Sequence, residues 1–305
     1  MPTMPEQALR RESAAFAADK DEIDRAIAVS CERYLPEVDG LVGDAVHYGL
    51  TGEGKRMRGI LFLCAFRAAG GVGDALGLAA AIEVVHAYSL LHDDLPCMDD
   101  DDVRRGRPTV HRVFGVAAAT VAGVAMVPLA AVAAADACAT LGLPGEVAGE
   151  IVAELMRASG AGGMIGGQLL DLEGEKRPLG LEDLERIHRA KTGALIAAAA
   201  TLGGRAARTD GERLEALARY GADVGLAFQI ADDVLDVTAT TGQLGKTVGR
   251  DVALQKSTYP GLLGIEGANR RAGALIRDGC DALDTVGLLT PELARIARFA
   301  IERTS

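Results

Sequence analysis

The stretch "AAAIEVVHAYSLLHDDLPCMDDDDVRRGRP", residues 79–108, decides the fold. An apolar helical run ends at Asp93 and Asp94, and a dense group of acids and arginines follows. Asp99 is six residues after Asp93, which on an unbroken helix is a rotation of about 600°. The two side chains would then face apart. Pro96 cannot donate to the preceding turn and clashes with it, so we predict that the helix bulges or ends near this proline. Asp99 can then swing back towards Asp93.

The remainder of the chain also favours helices. Alanine, leucine and valine dominate, aromatic residues make up only 4%, and signals typical of strands are scarce. No segment resembles an interdomain linker, so we predict one all-α domain over residues 1–305, a bundle of long helices around a central cavity. The predicted helices span residues 5–30, 54–70, 74–93, 116–141, 145–173, 181–203, 209–237, 264–284 and 289–303.

Charge and cysteine content limit the class of protein. A net charge of −11 argues against a nucleic-acid partner, which requires a basic surface. The five cysteines are scattered and form no CxxC pair, which indicates reduced thiols rather than a disulfide framework. The first 25 residues are charged throughout and contain no apolar signal region. We therefore expect a cytoplasmic location.

One uncharged segment, residues 113–135, is long enough to span a bilayer. It consists mainly of alanine, glycine, threonine and valine, contains Pro128, and has no flanking aromatic belt. Because alanine and glycine insert weakly, we interpret it as a buried core helix or a subunit-interface helix, without stable membrane insertion.

A second acidic cluster occurs in "FQIADDVLD", residues 228–236. Asp232 and Asp236 are one helical turn apart and share a face, with Asp233 offset by one position. A solvated helix face is the alternative for such a motif taken alone, but the surrounding residues are apolar and buried acids need partners. Two such clusters on apolar helices predict two walls of one cavity. Aspartate oxygens without His or Cys suit Mg²⁺, whose coordination shell is commonly completed by substrate phosphates.

Cations accompany both clusters. Arg104 and Arg105 follow the first, and a guanidinium group can fork onto phosphate oxygens. The segment "GEGKRMRG", residues 52–59, approaches a P-loop, but Arg56 stands where Ser or Thr must bind Mg²⁺ and no strand precedes it, so we reject that interpretation. Each cation alone could be an ordinary surface charge. The further candidates are Lys55, Arg58, Lys191, Lys246 and Lys256.

From residue 50 to 260 the motifs resemble the all-trans isoprenyl (polyprenyl) diphosphate synthase family. "GKRMR" is similar to the family's isopentenyl-diphosphate loop, and "HAYSLLHDDLPCMDDDDVRRGRPTVH" to its first aspartate-rich motif. "GGQLLDL", "KTG", "FQIADDVLD" and "GKTVGRD…KSTYP" follow in the family's order. The resemblance implies an all-α homodimer that transfers prenyl groups between small-molecule diphosphates with Mg²⁺, three ions being held when substrate is bound.

The resemblance also implies roles for individual residues. Mg²⁺ ligands would be Asp93, Asp94, Asp99, Asp232, Asp233 and Asp236. The allylic diphosphate would be contacted by Arg104, Lys191, Thr192, Gln229 and Lys246, with Lys256 as a further substrate-binding cation. Isopentenyl diphosphate would be bound by Lys55, Arg58, His86 and Arg105. His86 shares a helical face with Asp93, although a histidine there could otherwise belong to the core. We expect Asp100 to Asp102 to be solvated or structural.

Product length depends, in this family, on the residues four and five before the first aspartate. Here they are Ser89 and Tyr88. An aromatic ring at that place, with Pro96 and Cys97 inserted in the acidic motif, resembles bacterial farnesyl diphosphate synthases and implies a C15 product, with C20 as the alternative. Where the family often has acids, this chain has Val116 and Val124. These two positions are not metal ligands in the family, so we expect catalysis to survive.

Two rival classes remain open. A class I terpene cyclase would share the fold and would also ionise a prenyl diphosphate, but it would not need the second diphosphate-binding set of Lys55, Arg58 and Arg105. A non-catalytic partner subunit should lose one aspartate motif, and both are intact.

Overall fold

Helices form nearly all the regular structure of the computed structural model, which describes residues 16–38, 40–175, 177–238 and 256–302. Within that part the prediction of an all-α fold is confirmed, and the sole strand pairing is the antiparallel two-residue hairpin of β1 Val103–Arg104 and β2 Arg107–Pro108. The helices are α1 Ala17–Tyr34, α2 Leu41–Leu50, α3 Met57–Ala68, α4 Leu76–Asp93, α5 Val110–Phe114, α6 Val116–Thr140, α7 Gly145–Ser159, α8 Met164–Gly174, α9 Leu181–His188, α10 Ala194–Ala206, α11 Gly211–Thr238, α12 Tyr259–Thr285 and α13 Pro291–Glu302.

Several elements differ from the sequence prediction. Helices α2 and α5 were not expected, α1 ends at Tyr34 rather than residue 30, and the helix predicted over 181–203 is interrupted by a π-helical turn at Arg189–Gly193. The helix predicted over 145–173 is instead two helices, because the glycine-rich residues 160–163 between α7 and α8 are poor helix formers. Helix α12 begins at Tyr259 rather than residue 264, since Thr258 caps it by accepting a hydrogen bond from Gly261 N at 3.3 Å. Gly264, at φ +69°, places a kink inside it.

The described chain divides into two compact units, and the prediction of a single domain stays a prediction. The N-terminal unit comprises Phe16–Leu63 and Val72–Met156. Helix α4 is its centre and packs against α6, α1 and α2. Residues 78–85 of α4 are buried without interruption, so the helix has no solvated face there. This burial holds the end of α4, with its acids, in a fixed position.

The C-terminal unit comprises Cys64–Gly71 and the described residues of Arg157–Ser305. Helix α11 is its centre and packs against α12, α10 and α13. Tyr220 on α11 is fully buried and donates a 2.7 Å hydrogen bond to the Leu293 carbonyl oxygen. Its phenol group therefore ties α11 to the last helix.

Helix α6 is the one helix in the described ranges that is long and apolar enough to cross a membrane by length and composition. Of its most apolar window, 39% is buried. The buried side contacts α4, whereas Val121, Val124 and Val132 lie exposed along one stripe. The segment is thus a helix with one packed face and one apolar exposed face.

Candidate active site

The first acidic motif adopts the turn that Pro96 predicts. Helix α4 ends at Asp93, and the Asp99 N–H donates a 2.8 Å hydrogen bond to the Asp93 carbonyl oxygen. The Asp100 N–H similarly returns to the Leu95 carbonyl oxygen at 3.1 Å. The chain therefore folds back on the helix end, and the backbones of Asp93 and Asp99 are adjacent.

Asp94 is engaged differently from Asp93. It is only 3% exposed, and its two oxygens accept hydrogen bonds from Arg104 Nε at 2.7 and 2.9 Å. Arg104 Nη2 adds a third contact at 2.6 Å. Burial alone would lower the pKa of Arg104, but the charge of Asp94 outweighs it and raises that pKa. The predicted metal ligand Asp94 thus serves here to orient the predicted diphosphate contact Arg104.

The sequence predicts that Asp100 to Asp102 are solvated or structural, and both kinds occur. Asp100 is exposed, but Asp101 lies 3.8 Å from Arg104 Nη2 and Asp102 lies 3.1 Å from Arg112 Nε. The Asp102 carbonyl oxygen also accepts the Thr109 N–H at 3.0 Å. These contacts stabilise the loop that leads into and out of the β1–β2 hairpin.

The loop before α3 carries Lys55 and is held by its neighbour Arg56. Arg56 is 8% exposed and lies in the left-handed region at φ +50°. Its guanidinium group donates to Asp24 Oδ1 at 2.7 Å and to the carbonyl oxygens of Leu50 and Gly52 at 3.2 and 2.8 Å. Arg56 therefore fixes the loop to α1, which the sequence did not reveal.

Glu83 anchors the other side of this loop. It is 2% exposed, and its Oε1 accepts the Gly59 N–H at 2.8 Å. Gly59 is the third residue of α3, so Glu83 satisfies a backbone donor that a helix start otherwise leaves open. Arg58 is the residue before it, and Glu83 thereby fixes the turn from which Arg58 projects.

His86 lies one turn beyond Glu83 on α4, in a cleft that Arg56, Arg104 and Arg105 also line. Enclosure of the ring, and then the positive charges led by Arg58, keep the pKa of His86 well below its usual range. Its Nδ1 atom is buried without a hydrogen-bond partner among the described residues. The cleft therefore combines a neutral imidazole with a concentration of positive charge suited to an anion.

Two residues that line this cleft were missed by the sequence interpretation, Arg107 on the hairpin and Tyr48 on α2. Arg107 lies 4.2 Å above the Tyr48 ring, and the Tyr48 hydroxyl donates to the Pro108 carbonyl oxygen at 2.9 Å. Arg105, at φ +52°, donates from Nη1 to the Glu53 carbonyl oxygen. Together these contacts tie the hairpin to α2 and to the loop before α3.

The two predicted chain-length residues lie on α4 before the acids. Tyr88 is 3% exposed, and its ring meets His92 edge to face with centroids 5.8 Å apart. Burial, followed by the charge of Asp93, raises the pKa of Tyr88 to about 12. The Ser89 hydroxyl donates to the His86 carbonyl oxygen at 2.8 Å. Tyr88 is therefore the bulky group of the pair.

The second acidic motif lies near the end of α11 in the C-terminal unit. Asp232 and Asp236 are partly exposed, whereas Asp233 is 3% exposed. Asp236 Oδ2 is buried without a hydrogen-bond partner among the described residues. Asp233, in contrast, accepts hydrogen bonds from three groups. They are Gln229 Nε2 at 3.2 Å, the Tyr259 N–H at 3.0 Å and His188 Nε2 at 3.3 Å.

Two of the predicted lysines meet at an acid that the sequence interpretation did not assign. Asp171 Oδ2 accepts hydrogen bonds from Lys191 Nζ at 2.6 Å and Lys256 Nζ at 2.9 Å. Burial would raise the pKa of Asp171, but the two ammonium groups lower it to about 2. The signal was present, since Asp171 is the acid of the "GGQLLDL" motif.

Lys191 and Thr192 project from a single π-helical turn, Arg189–Gly193, inserted between α9 and α10. Such turns re-aim side chains and are frequent at functional sites. A Cβ atom on Gly167 of α8 would overlap the backbone of Lys191, and one on Gly225 of α11 would lie 2.9 Å from Gly193 Cα. Glycines thus let two helices contact the turn closely.

The donor set fits a hard cation. Carboxylate oxygens are the ligands that Mg²⁺ prefers, and both acidic motifs supply them. Asp236 Oδ2, which is buried and has no hydrogen-bond partner among the described residues, could bind a cation. Within the described ranges no group of three or more His, Cys, Asp and Glu side chains is close enough to hold a metal by itself. Lys246 lies outside the described residues.

Comparison with known proteins places these features in a class. The fold is that of isoprenoid diphosphate synthases. It matches a solved geranyltransferase from Helicobacter pylori, which is complexed with magnesium and isoprenyl diphosphate, with a TM-score of 0.73. The two chains are 32% identical, and the match covers 90% of this chain and 94% of that chain. The polyprenyl synthetase family model matches residues 39–282, and the chain belongs to that family. The resemblance drawn from the motifs is confirmed.

Two curated relatives show where in the family the chain lies. It is 45% identical to farnesyl diphosphate synthase of Escherichia coli over 88% of this chain and 91% of that protein. It is 43% identical to geranylgeranyl pyrophosphate synthase 9 of Arabidopsis thaliana over 86% of this chain and 73% of that protein. By their names the two relatives differ in product, farnesyl diphosphate for one and geranylgeranyl diphosphate for the other.

Proposed function

We propose that this chain condenses isopentenyl diphosphate with dimethylallyl and geranyl diphosphates and releases (E,E)-farnesyl diphosphate. The observation that carries the proposal is the pairing of acids with cations in each unit: Asp94 with Arg104 in one, and Asp171 with Lys191 and Lys256 in the other. A terpene cyclase would not need the additional positive charge around His86. The 45% identity to a farnesyl diphosphate synthase supports the same product.

The acidic motifs would hold Mg²⁺, through the Asp93 and Asp99 carboxylates of one and the Asp232 and Asp236 carboxylates of the other. Magnesium dependence is general in the family, and we propose three ions with substrate bound. When bound, Mg²⁺ would supply positive charge that stabilises the departing diphosphate. Asp94 and Asp233 are engaged with protein groups, so we give them supporting roles.

The protein's own groups would do the rest of the chemistry. Lys191, Lys256 and Arg104 would offset the negative charge that builds on the allylic diphosphate as its carbon–oxygen bond breaks. The double bond of isopentenyl diphosphate then attacks the allylic cation, and the new carbon–carbon bond is completed by loss of a proton, for which the released diphosphate is the proposed acceptor. His86 would contact the second diphosphate.

A C20 product is the second candidate, because a geranylgeranyl pyrophosphate synthase is nearly as similar. We favour C15 because the bulky Tyr88 lies one to two turns before Asp93 on the rigid helix α4. Its buried ring would block growth of the chain beyond farnesyl length.

We also propose an oligomeric state and a cellular location for the enzyme. A homodimer is supported by the exposed apolar stripe of Val121, Val124 and Val132 on α6, which a second copy could cover. We expect the enzyme to act in the cytoplasm.

The deciding experiment is incubation with labelled isopentenyl diphosphate, each allylic primer in turn and Mg²⁺, followed by chromatography of the products. The expected product is farnesyl diphosphate. Mainly C20 or longer products would overturn the C15 assignment. A cyclic hydrocarbon from farnesyl diphosphate alone would favour the cyclase, and activity seen only on addition of another synthase would favour the partner subunit.

A further inference from the structure

We infer that Asp233 is a positioning residue rather than a metal ligand: it fixes the orientation of Gln229 and anchors the segment that carries Lys256. The inference rests on the proposed function, in which Lys256 offsets charge on the allylic diphosphate, and on the family resemblance, which implies that Gln229 contacts the same group. It replaces the sequence-based assignment of Asp233 to the Mg²⁺ ligands.

The burial of Asp233 supports this role. Its side chain is 3% exposed, while Asp232 and Asp236 on the same helix are partly exposed. Three donors approach it, one from each of three elements: α11, the end of α9, and the start of α12. A buried carboxylate requires such partners, and donors already committed to it compete with a cation for its lone pairs.

The first consequence concerns the amide of Gln229. A carboxylate can only accept hydrogen bonds, so the Gln229 Nε2 group must be the end that faces Asp233. The amide oxygen Oε1 then faces Thr192, and the Thr192 hydroxyl donates to it at 2.9 Å. Asp233 thereby fixes which end of the amide lies on each side, and a second N–H of Gln229 remains to donate to an anion.

The second consequence concerns the segment 256–259. The Tyr259 N–H donates to Asp233, and its ring stacks on the His188 ring with centroids 5.7 Å apart. Ser257 Oγ accepts the Leu179 N–H at 2.9 Å. Lys256 precedes these anchors directly and reaches Asp171. Asp233 therefore determines where the Lys256 ammonium group lies.

Asp233→Asn tests the inference because it keeps the shape and removes the charge. The NH₂ group of an asparagine must face either the Gln229 NH₂ group or the Tyr259 N–H, so two donors would then face each other. If it faces Gln229, the Gln229 amide can avoid this by turning over, which places its oxygen rather than an N–H towards the anion. We expect the KM for geranyl diphosphate to rise by about tenfold, the cost of one hydrogen bond to a charged group. The Mg²⁺ concentration for half-maximal rate should stay within about twofold of the wild-type value, which is a negligible free-energy change.

Two comparisons make the result decisive. Asp236→Asn, at a proposed ligand, should raise the half-maximal Mg²⁺ concentration, and Glu215→Gln, exposed on the same helix, should change neither quantity. If Asp233→Asn raises the Mg²⁺ requirement as Asp236→Asn does, or leaves the KM unchanged, the inference is overturned. Thermal unfolding of each variant identifies any that does not fold.

His188 supplies a second route should Asp233→Asn fail to fold. His188→Gln keeps a donor near the Nε2 position, whereas His188→Leu removes it. We expect the leucine variant to raise the KM for geranyl diphosphate and the glutamine variant to restore it. Equal values for both variants would contradict the inference.

Failure of the proposed function gives a different result. In that case the wild-type protein would show no condensation with any primer. Calorimetric titration with inorganic diphosphate in the presence of Mg²⁺ still compares wild type with Asp233→Asn without turnover. Binding that is weakened equally at low and at saturating Mg²⁺ would support the positioning role, whereas equal binding, or a loss confined to low Mg²⁺, would overturn it.

Discussion

Arg56 Nε donates a hydrogen bond of 2.7 Å to Asp24 Oδ1, and this contact joins the loop before α3 to α1. The same guanidinium group binds two loop carbonyl oxygens, so one buried side chain determines the path of residues 50–56. Lys55 and Arg58 flank it in sequence. The position of both proposed isopentenyl-diphosphate contacts therefore depends on Arg56.

Arg56→Lys should raise the KM for isopentenyl diphosphate. Lysine keeps the charge but cannot reach Asp24 and two carbonyl groups at once, because it lacks the planar fork. We expect a loss of about 1–2 kcal/mol of unfolding free energy from the missing hydrogen bonds. Steady-state kinetics and urea unfolding measure the two effects.

The matched control is Arg25→Lys, the same exchange at an exposed position of α1. It should leave both quantities near wild type. If the Arg56 variant behaves like this control, the loop is held by other contacts.

The local part of this architecture could be predicted from the sequence. Pro96 ends α4, and the spacing of Asp232 and Asp236 places them on one face, since both effects act within two helical turns. The contacts that support the site could not be predicted. Arg56 and Asp24 are 32 residues apart and Lys256 and Asp171 are 85 apart, so their pairing depends on how the helices pack.

The π turn was also beyond prediction. It adds one residue per turn without a distinctive composition, and "RAKTG" continues a helical pattern. The sequence does not distinguish the glycines that accommodate it, Gly167 and Gly225, from glycines in open loops. Only the packing of α8 and α11 distinguishes them.

Asp171→Asn should destabilise the C-terminal unit in a pH-dependent manner. The folded pKa of about 2 lies below the ordinary value of 3.8. The ion pairs with Lys191 and Lys256 therefore contribute stability above about pH 4, and this contribution is lost as the pH falls through about 2. The difference corresponds to roughly 2 kcal/mol at neutral pH.

Chemical unfolding of wild type and variant from pH 7 to pH 3 measures this difference. It should be largest at pH 7 and should shrink towards the acid end. Asp281→Asn, exposed on α12, is the control with the same loss of charge. A difference that is independent of pH would mean that Asp171 acts through packing rather than through its charge.

Tyr88→Ala should lengthen the product beyond C15. Removing the buried ring leaves a cavity beside α4 into which a longer prenyl chain could extend, at a cost of about 3 kcal/mol in stability. Chromatography of the products formed from geranyl and isopentenyl diphosphates gives the distribution. Ser89→Ala should change it far less than Tyr88→Ala, because it removes only a hydroxyl that is bonded to the helix backbone. An unchanged distribution for the Tyr88 variant would remove the ring as the limit to growth.

Gly167→Ala should lower kcat. The added Cβ would overlap the backbone N and Cα of Lys191, and backbone atoms cannot move aside as a flexible side chain can. Helix α8 and the π turn must then separate, which displaces Lys191 and Thr192. A misplacement of about 1 Å can cost on the order of a hundredfold in rate, and the strain should also cost about 1–3 kcal/mol in stability. Gly162→Ala is the control, since a Cβ there meets no atom within 4 Å. Turnover and thermal unfolding of both variants test the argument, and a Gly167 variant with the kcat and stability of the Gly162 variant would show that the close contact at the π turn is dispensable.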